Sequence, residues 1–412
     1  MDTEMEDVNN GGLRSLEDIK LVMEYAKIDP TEVKPVVQSV YFSEELDNDA
    51  VKFLEVDDAV LTALEAGDEL VIRGEKTESA VLCTGSKTYD IKEAEMSNCM
   101  LLLSDMVWSK DLPDKGDQAV NYRKVTSVLQ NYFELRPCKP KVKKLKMLLE
   151  KNMYNGKESE EDEEHMDEKY TFQDLLNLVQ ASEAEITAAL KKLQACKLEG
   201  YWRVLHFDFL TQVLNHIIQL SEENDWLRSG LPLEDCCQTL EELFPRPVIE
   251  HVISCYADKM SSPTGTEDDD SHMEIDTAFY TLNEDKICRF FAELCLRNAG
   301  KFNLQEFLSV WEQSVPSGMK TYLHQVEGMA LINRSSKPEV IWYFPAENLP
   351  EDVGERFDSL FRTREKWTLD EIAPYVRDLT TAKVDVGGLL LKYARSSLHN
   401  GIKVFNSRKL VS

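Results

Sequence analysis

No apolar run in the sequence approaches the ~20 residues that a membrane-spanning helix needs. The first ten residues are acidic and carry no apolar core, so we expect neither a secretory signal nor association with a membrane. The nine cysteines include no C-x-x-C pair, and Cys236 and Cys237 are adjacent, too close for ordinary zinc-ligand spacing. These absences predict reduced, mostly buried thiols and exclude a disulfide-rich secreted domain.

Motifs of catalysis are also missing. None of the seven histidines stands in an H-E-x-x-H pattern, and there is no G-x-S-x-G elbow and no glycine-rich nucleotide fingerprint. The segment 85–88 (GSKT) differs from a phosphate-binding loop, because position 80 is Ala and Thr88 leads into a strand pattern. It predicts a hairpin turn. We therefore expect a protein that is not an enzyme and that uses no cofactor or metal.

Positive charge is scarce and unevenly placed. The formal net charge of -28 over 412 residues excludes a general nucleic-acid coat, because most of the surface would repel phosphates. Residues 351–412, however, contain 11 Lys or Arg against 9 Asp or Glu. From Lys383 onward the only acidic residue is Asp385. This asymmetry predicts one end that faces nucleic acid on an otherwise acidic body.

The C-terminal segment has the clearest pattern of elements. Apolar residues at helical spacing predict a helix over 351–364, and Thr368 with Glu371 predicts a capping box that starts a second helix. A third helix is predicted over 387–397, and the Asn400-Gly401 turn precedes an alternating strand over 402–405. Helix, helix, turn, helix and strand in this order indicate a winged helix.

The segment from about residue 36 to 103 predicts short strands with Gly or Ser turns, as in a small barrel or sandwich. Its few strands and its apolar run predict a sheet that needs a partner to cover or complete it, although a self-contained domain is the alternative. The candidate partner-binding residues are Leu70, Val71, Ile72, Val81, Leu82, Met100, Leu101, Leu102 and Leu103.

A second basic cluster precedes an acidic stretch. Its cations predict a localisation signal or a phosphate contact, or else the solvated face of a helix that buries Leu145 and Leu149. The cluster consists of Arg136, Lys139, Lys141, Lys143, Lys144 and Lys146.

The expected fold class is α+β multidomain, with a small N-terminal β-barrel-like domain followed by three to four tandem winged-helix units. Helical patterns that end in aromatic-rich strands recur along the chain and define these units. The predicted segments are 1–35 (acidic, with a helix), 36–110 (barrel-like), 111–155 (helical connector with the basic patch), 156–169 (acidic linker), 170–208 (winged-helix-like), 209–282 (the same, with an acidic insert at 261–276), 283–346 (the same) and 349–412 (C-terminal winged helix).

Nine short phrases of the sequence resemble the Dcc family of sister-chromatid cohesion proteins, and the resemblance extends from about residue 51 to the end. They are LVIRG at 70–74, AVLC at 80–83, KTYD at 87–90, ACKL at 195–198, GYWR at 200–203, KFNL at 301–304, REKW at 364–367, IAPY at 372–375 and KVFNSR at 403–408.

The resemblance implies a nuclear, non-ATPase subunit of the alternative clamp loader named for chromosome transmission fidelity. In that family the N-terminal β-domain forms a joint barrel with the small Ctf-type subunit and the C-terminal tail of the large ATPase subunit. The winged helices bind DNA and help to dock DNA polymerase epsilon. The loader acts on the sliding clamp, so the replication factor C small subunits and the clamp are indirect partners.

The leading hypothesis is thus a non-catalytic adaptor in DNA replication and cohesion whose last winged helix contacts DNA through phosphates, without sequence preference. The alternative is a purely protein-binding winged-helix scaffold, and a transcriptional regulator rests on fold analogy alone. The candidate DNA-binding residues are Lys383, Lys392, Arg395, Lys403, Arg408 and Lys409.

Overall fold

The computed structural model describes residues 14–44, 46–112, 119–160, 168–260, 278–381, 384–399 and 401–408. Within them the fold is mixed α+β, with several small sheets. The chain divides into two compact units, which do not follow the chain order. Unit 1 consists of Met1–Val142 and Gln173–Ala189, and unit 2 consists of Lys143–Phe172 and Leu190–Ser412.

The described helices are α1 (Leu16–Tyr25), α2 (Asp58–Ala66), α3 (Lys143–Lys151), α4 (Phe172–Leu178), α5 (Glu183–Lys192), α6 (Phe207–Glu223), α7 (Trp226–Ser229), α8 (Leu233–Leu240), α9 (Arg246–Tyr256), α10 (Glu284–Arg297), α11 (Leu304–Ser314), α12 (Val353–Thr363), α13 (Leu369–Val376) and α14 (Val386–Tyr393). The strands are β1 (Val36–Phe42), β2 (Leu54–Glu55), β3 (Val71–Arg73), β4 (Val81–Cys83), β5 (Thr88–Leu103), β6 (Ala119–Pro137), β7 (Cys196–Leu198), β8 (Tyr201–Arg203), β9 (Leu231–Pro232), β10 (Ala257–Lys259), β11 (Phe279–Leu282), β12 (Lys301–Asn303), β13 (Ala330–Asn333), β14 (Val340–Tyr343), β15 (Ala394–His399) and β16 (Ile402–Ser407).

Unit 1 is built on a six-stranded sheet in the order β1-β6-β5-β4-β3, with β2 pairing on β6. β1 pairs in parallel with β6, and the other neighbours along the main path are antiparallel. The sheet is open over the described residues, because its outer strands β1 and β3 do not pair with each other. The predicted barrel-like domain is therefore a β-rich sheet without closure. Each outer strand leaves one row of backbone groups outside the ladder.

The strand β6 corrects the prediction of a helical connector over 111–155. Residues 119–137 form the longest strand of the sheet, and over 119–155, all of which the structure describes, helix is confined to α3. The alternation of side chains explains this result, because Val125, Ser127 and Leu129 are buried at every second position. The helix prediction for this range follows from the basic residues at 136–146. The residues before them include many β-branched and aromatic side chains, which favour a strand.

The last part of the segment 36–103, for which the sequence predicts short strands, is one continuous strand of 16 residues, β5. The strand continues past Lys92 because Glu93 and the two residues after it pair with residues 131–133 of β6. The ladder shifts its register between Glu95 and Met100, which is the position of a bulge. The predicted hairpin turn before β5 is confirmed, since the Thr84 amide donates to the Lys87 carbonyl at 2.9 Å.

The segment 173–189 is tied into unit 1 by buried polar contacts. The Gln180 side-chain amide donates to the backbone carbonyls of Ser79 at 2.6 Å and Arg73 at 3.3 Å. A capping box starts α5, with the Ser182 amide donating to the Glu185 carboxylate at 2.9 Å and the Glu185 amide donating to the Ser182 hydroxyl at 3.3 Å. Thr88 of β5 donates to the same carboxylate at 2.5 Å. The sheet of unit 1 and the start of α5 thus share one hydrogen-bond network.

Unit 2 contains a large apolar core between helices and two three-stranded sheets, ordered β10-β11-β9 and β12-β14-β13. Trp311 of α11 is fully buried in this core, and its indole N–H donates to the Cys288 carbonyl of α10 at 2.7 Å. That bond satisfies the one polar atom of the ring. The predicted closing strand over 279–282 is confirmed as β11. The predicted acidic insert 261–276 lies outside the described residues.

A buried guanidinium orders the start of the predicted acidic linker, 156–169. Arg203 of β8 is 3% exposed and donates to both Glu160 carboxylate oxygens, at 2.8 and 2.9 Å. It also donates to the Asn152 carbonyl at 3.0 Å and side chain at 2.7 Å. Lys169 contacts Glu160 from the other side at 2.5 Å. The Arg203 hydrogen bonds lower the pKa of Glu160 to about 2, although burial opposes them.

The C-terminal segment has the predicted order of three helices followed by two strands, α12, α13, α14, β15 and β16. The Thr368–Glu371 capping box at the start of α13 is confirmed. Trp367 is fully buried and its backbone exchanges two hydrogen bonds with Phe405 of β16, at 3.0 and 2.7 Å. The helix predicted over 387–397 ends earlier, at Tyr393. The assignment of this segment to the winged-helix class stays an interpretation.

Candidate functional site

The sheet of unit 1 exposes part of the predicted partner-binding set and buries another part. Ile72 on the outer strand β3 is 66% exposed, and Met100 and Leu101 of β5 are also exposed. Val81 and Leu82 of β4 are buried, and Leu82 packs within the unit's own core. Val81 and Leu82 are therefore core residues of unit 1, and they present no exposed side-chain surface to a partner.

The other members of the predicted set are half-buried. They are Leu70, Val71, Leu102 and Leu103. Leu70 packs against the Val60–Leu82–Tyr89 cluster, which gives it a structural role. An apolar residue that is half-buried at the border of a sheet gains further burial when a partner covers it. These four residues thus remain candidates for the margin of an interface.

The sequence prediction missed exposed apolar residues at the opposite edge. Phe42 at the end of β1 is 59% exposed, and Val40 on the same strand is also exposed. Trp108 after β5 and Tyr25 of α1 expose aromatic rings. The parallel register places Phe42 opposite Val125, whose buried side chain marks the inner face of β6. The sequence prediction did not include the strand β6. Because β1 pairs with β6, β1 is an outer strand of the sheet, and its exposed side chains lie at that edge.

The exposed cations of the C-terminal segment lie on one helix and on both strands of the ribbon that follows it. Lys392 is on α14, whereas Arg395 and Lys403 are on β15 and β16. The sequence predicts Arg395 on the helix, but the early end of α14 places it on the two-stranded ribbon. None of the three is in an ion pair with another described residue. Their charges thus face solvent, as phosphate contacts require.

Arg408 differs from these three cations. Its guanidinium donates to the carbonyl of Ala394 at 3.1 Å and to that of Leu391 at 2.5 Å. These carbonyls belong to the last turn of α14 and the residue after it, so Arg408 satisfies acceptors that a helix end leaves open. Lys383 and Lys409, the remaining candidates, lie outside the described residues.

Apolar side chains accompany these cations. Leu398 of β15 is 79% exposed, and Leu391 and Ile402 are exposed as well. Leu398 is paired with Lys403, and His399 with Ile402, at the end of the ribbon. Phosphates alone do not account for an exposed leucine, because apolar surface gains by contact with apolar groups. The segment therefore combines a cationic surface with an apolar ribbon tip.

The second basic cluster has partners for several of its cations. Arg136 donates to Glu134 at 2.7 Å and lowers the pKa of that carboxyl. Lys141 donates to the Gln180 side chain at 2.6 Å. Lys146 lies 3.7 Å from Glu150 and 3.8 Å from Glu347. Lys139, Lys143 and Lys144 complete the cluster, and the burial of Leu145 and Leu149 agrees with the solvated-helix alternative for its second half.

In the ranges described above, no group of three or more His, Cys, Asp or Glu side chains is placed to hold a metal ion. Among the described helices, none has the length and apolar composition to cross a membrane.

The comparisons with known proteins agree with each other. The family model for sister chromatid cohesion protein Dcc1 matches residues 51–376. Sister chromatid cohesion protein DCC1 of Xenopus laevis is 44% identical over 400 residues, covering 97% of this chain and 100% of the relative. The Mus musculus protein of that name is 44% identical over 403 residues (97% and 98% covered), and the Homo sapiens protein is 42% identical over 404 residues (97% and 100%). These names describe a cohesion protein and not an enzyme. The chain belongs to the sister chromatid cohesion protein Dcc1 family.

Proposed function

We propose that this protein is a non-catalytic adaptor subunit of an alternative sliding-clamp loader, acting in the nucleus in DNA replication and sister chromatid cohesion. The observation that carries the proposal is the open sheet of unit 1, whose outer strands expose Phe42 on one side and Ile72 on the other. Outer strands with exposed apolar side chains favour pairing with another chain.

In this proposal the large ATPase subunit's C-terminal tail and the small Ctf-type subunit supply strands that pair with β1 and β3. The added strands satisfy backbone groups at both edges and bury the apolar side chains there, which completes a barrel-like assembly. The replication factor C small subunits and the sliding clamp are then reached through the large subunit. The absence of a phosphate-binding loop in the sequence agrees with ATP hydrolysis by other subunits.

Co-expression with the two partner subunits tests the assembly. A Phe42→Asp, Ile72→Asp double variant places a carboxylate at each edge, and we expect recovery of the ternary complex to fall about tenfold or more, because burial of each such side chain is worth about 1.5–3 kcal/mol. Affinity pull-down followed by size-exclusion chromatography measures the recovery. The matched control is Leu243→Asp, which alters an equally exposed apolar residue of unit 2.

Recovery of the double variant at the wild-type level would refute assembly through these edges. Circular dichroism of each purified variant reports whether the fold has survived. The assembly must be tested with the full chain. A fragment of residues 1–110 lacks the central strand β6 and the segment 173–189, so it does not contain the whole of unit 1.

The C-terminal segment supports a second part of the proposal, contact with DNA and with DNA polymerase epsilon through winged-helix units. The exposed Lys392, Arg395 and Lys403 provide charge without a regular set of side chains for reading bases. Sequence-independent binding with strong salt dependence is therefore expected.

Titration of DNA at several salt concentrations tests the DNA contact. Neutralising Lys392 and Lys403 to Gln should lower the slope of log K against log salt by roughly two, since each lost phosphate contact removes about one unit. Lys337→Gln, an exposed charge elsewhere in unit 2, should leave the slope unchanged. An unchanged slope in the double variant, or no binding at low salt, would favour the protein-binding scaffold, for which the exposed Leu398 is the supporting observation.

A further inference from the structure

One face of α10 lines a groove that none of these assignments uses. A cavity of about 370 Å³ is bordered by Lys286, Arg289, Glu293 and Arg297, residues three or four positions apart and hence on one side of the helix. A second cavity of about 440 Å³ shares Glu293 and Arg297 with it and continues to Asn298. Both lie within unit 2. The stretch of α10 from Lys286 to its end at Arg297 is ~17 Å long, at 1.5 Å per residue.

One end of the groove carries positive charge with little compensation. Lys192, the last residue of α5, has no ion pair among the described residues. Lys286 has only a distant partner, Asp258 at 3.5 Å, and both side chains are largely exposed. Arg289 donates to backbone carbonyls, those of Gln325 at 2.7 Å and Glu327 at 3.0 Å, which leaves its charge unneutralised. In a chain of net charge -28, this end attracts an anionic group.

The other end is charge-balanced. Lys146 lies between Glu150 and Glu347, at 3.7 and 3.8 Å. Arg297 is hydrogen-bonded to Glu293 at 2.9 Å and lies 3.9 Å from the centre of the Phe207 ring. Because each cation here has a carboxylate beside it, this end offers no advantage to a second anionic group.

Apolar side chains also line the groove. Phe207 and Leu210 of α6 and Phe290 of α10 border the same cavity. Phe207 and Leu210 are only half-buried, so they have surface left to cover. A ligand that carries an apolar group beside its anionic group therefore matches the groove better than a bare anion does.

We propose that this groove binds a short extended peptide of a partner protein, with acidic side chains at the Lys192–Lys286–Arg289 end and an apolar side chain against Phe207 and Leu210. At ~3.4 Å per residue, the groove holds about five residues of extended chain. A nucleic-acid strand fits less well, because it carries a phosphate on every nucleotide and would place several against Glu150, Glu293 and Glu347. This proposal stands apart from the sheet assembly and from the C-terminal cations.

Fluorescence anisotropy of the full chain with labelled five-residue peptides tests the proposal. The probes are Asp-Asp-Glu-Leu-Phe, the reversed order Phe-Leu-Glu-Asp-Asp, and the amide analogue Asn-Asn-Gln-Leu-Phe. We expect one acidic probe to bind at least about tenfold more tightly than the amide analogue. The Lys192→Glu, Lys286→Glu double variant should weaken that binding by about tenfold or more, because it reverses two of the positive charges that face the acidic side chains of the peptide. Lys366→Glu, a reversal of an exposed charge outside the groove, should change it less than about twofold.

The location is checked with a benzophenone group in place of the Phe side chain of the probe that binds. Cross-links should fall on α6 or α10, and cross-links elsewhere in the chain would overturn the proposal. Equal binding of the acidic and amide probes, or no binding at millimolar peptide, would also overturn it. If oligothymidylate binds and the double variant abolishes that binding while the peptides do not bind, the groove is a nucleic-acid site instead. Equal melting temperatures of the variants show that the fold is unchanged.

Discussion

Replacing Arg203 with methionine removes a buried positive charge and keeps most of the apolar stem of the side chain. The guanidinium makes four hydrogen bonds, two to Asn152 and two to Glu160, over distances of 2.7 to 3.0 Å. It also lies 5.6 Å from the centre of the Tyr154 ring. The change therefore removes these four hydrogen bonds, while the packing around β8 is largely kept.

The free energy lost in Arg203→Met depends on the interactions that Glu160 keeps. Removing one partner of a buried ion pair costs about 3–5 kcal/mol, because the other charge stays buried and unpaired. Glu160 keeps Lys169 at 2.5 Å, and its side chain is 22% exposed, so solvent and the second cation offset part of the loss. We therefore expect a loss of about 2–3 kcal/mol in the local stability of the β7–β8 hairpin.

Native-state hydrogen exchange measures this loss where it occurs, which is necessary because a chain of two units need not unfold in one step. The Trp202 amide donates to the Tyr170 carbonyl at 2.9 Å, next to Arg203 in the hairpin. Its protection should fall roughly 30- to 150-fold in Arg203→Met, at about 1.4 kcal/mol per factor of ten. Mass spectrometry of the peptide that contains β7 and β8 reports the change.

Arg246→Met is the matched control. Arg246 pairs with Glu234 at 2.5 Å and Glu250 at 2.8 Å, as closely as Arg203 pairs with Glu160, but its side chain is 40% exposed. Exposed pairs contribute about 0.2–1 kcal/mol, so α8 and α9 should lose little protection. Equal losses in the two variants, or a loss below about 0.5 kcal/mol for Arg203→Met, would refute the reasoning that burial decides the strength of these pairs.

Two further predictions rest on shifted pKa values. The pKa of Glu160 is lowered from 4.5 to about 2, so the stability due to its ion pair is fully present above pH 4.5 and is lost as the pH falls towards 2. The difference in β7–β8 protection between wild type and Arg203→Met should thus shrink over that range, and a constant difference would contradict the shift. Burial raises the pKa of Cys196 and Cys236 to about 12, whereas Cys99 is exposed on β5. Iodoacetamide should therefore label Cys99 first, as peptide mass spectrometry can show, and equally fast labelling of Cys236 in the folded chain would refute this.

Elements defined by short-range signals could be predicted from the sequence. The capping box of α13 and the hairpin turn before β5 depend on residues that lie within a few positions of each other. The strand β1 and the order of elements in the C-terminal segment follow from the spacing of apolar residues. These signals stay within a few residues, which a single sequence displays directly.

Features that depend on distant pairing could not be predicted in this way. β5 continues through polar residues only because β6 lies beside it, and β6 itself falls in a range that the sequence predicts as helical. The early end of α14 depends on pairing between β15 and β16, which places Arg395 on the ribbon instead of the helix. The exposure of apolar side chains also depends on distant parts of the chain. Val81 and Leu82 are buried in the folded sheet, in which β4 lies between β3 and β5, and their neighbours in the sequence do not reveal this burial.

Unit 1 consists of two stretches of chain, and this division affects how the unit folds during synthesis on the ribosome. The strands β1 to β6 are made first, and the segment 173–189, which supplies Gln180 and Ser182 to the sheet, follows only after residues 143–172 of the other unit. At ~5–20 residues per second, the nascent sheet waits several seconds for that segment. During this interval its outer strands are free, so early pairing with a partner chain would protect the newly made protein from aggregation.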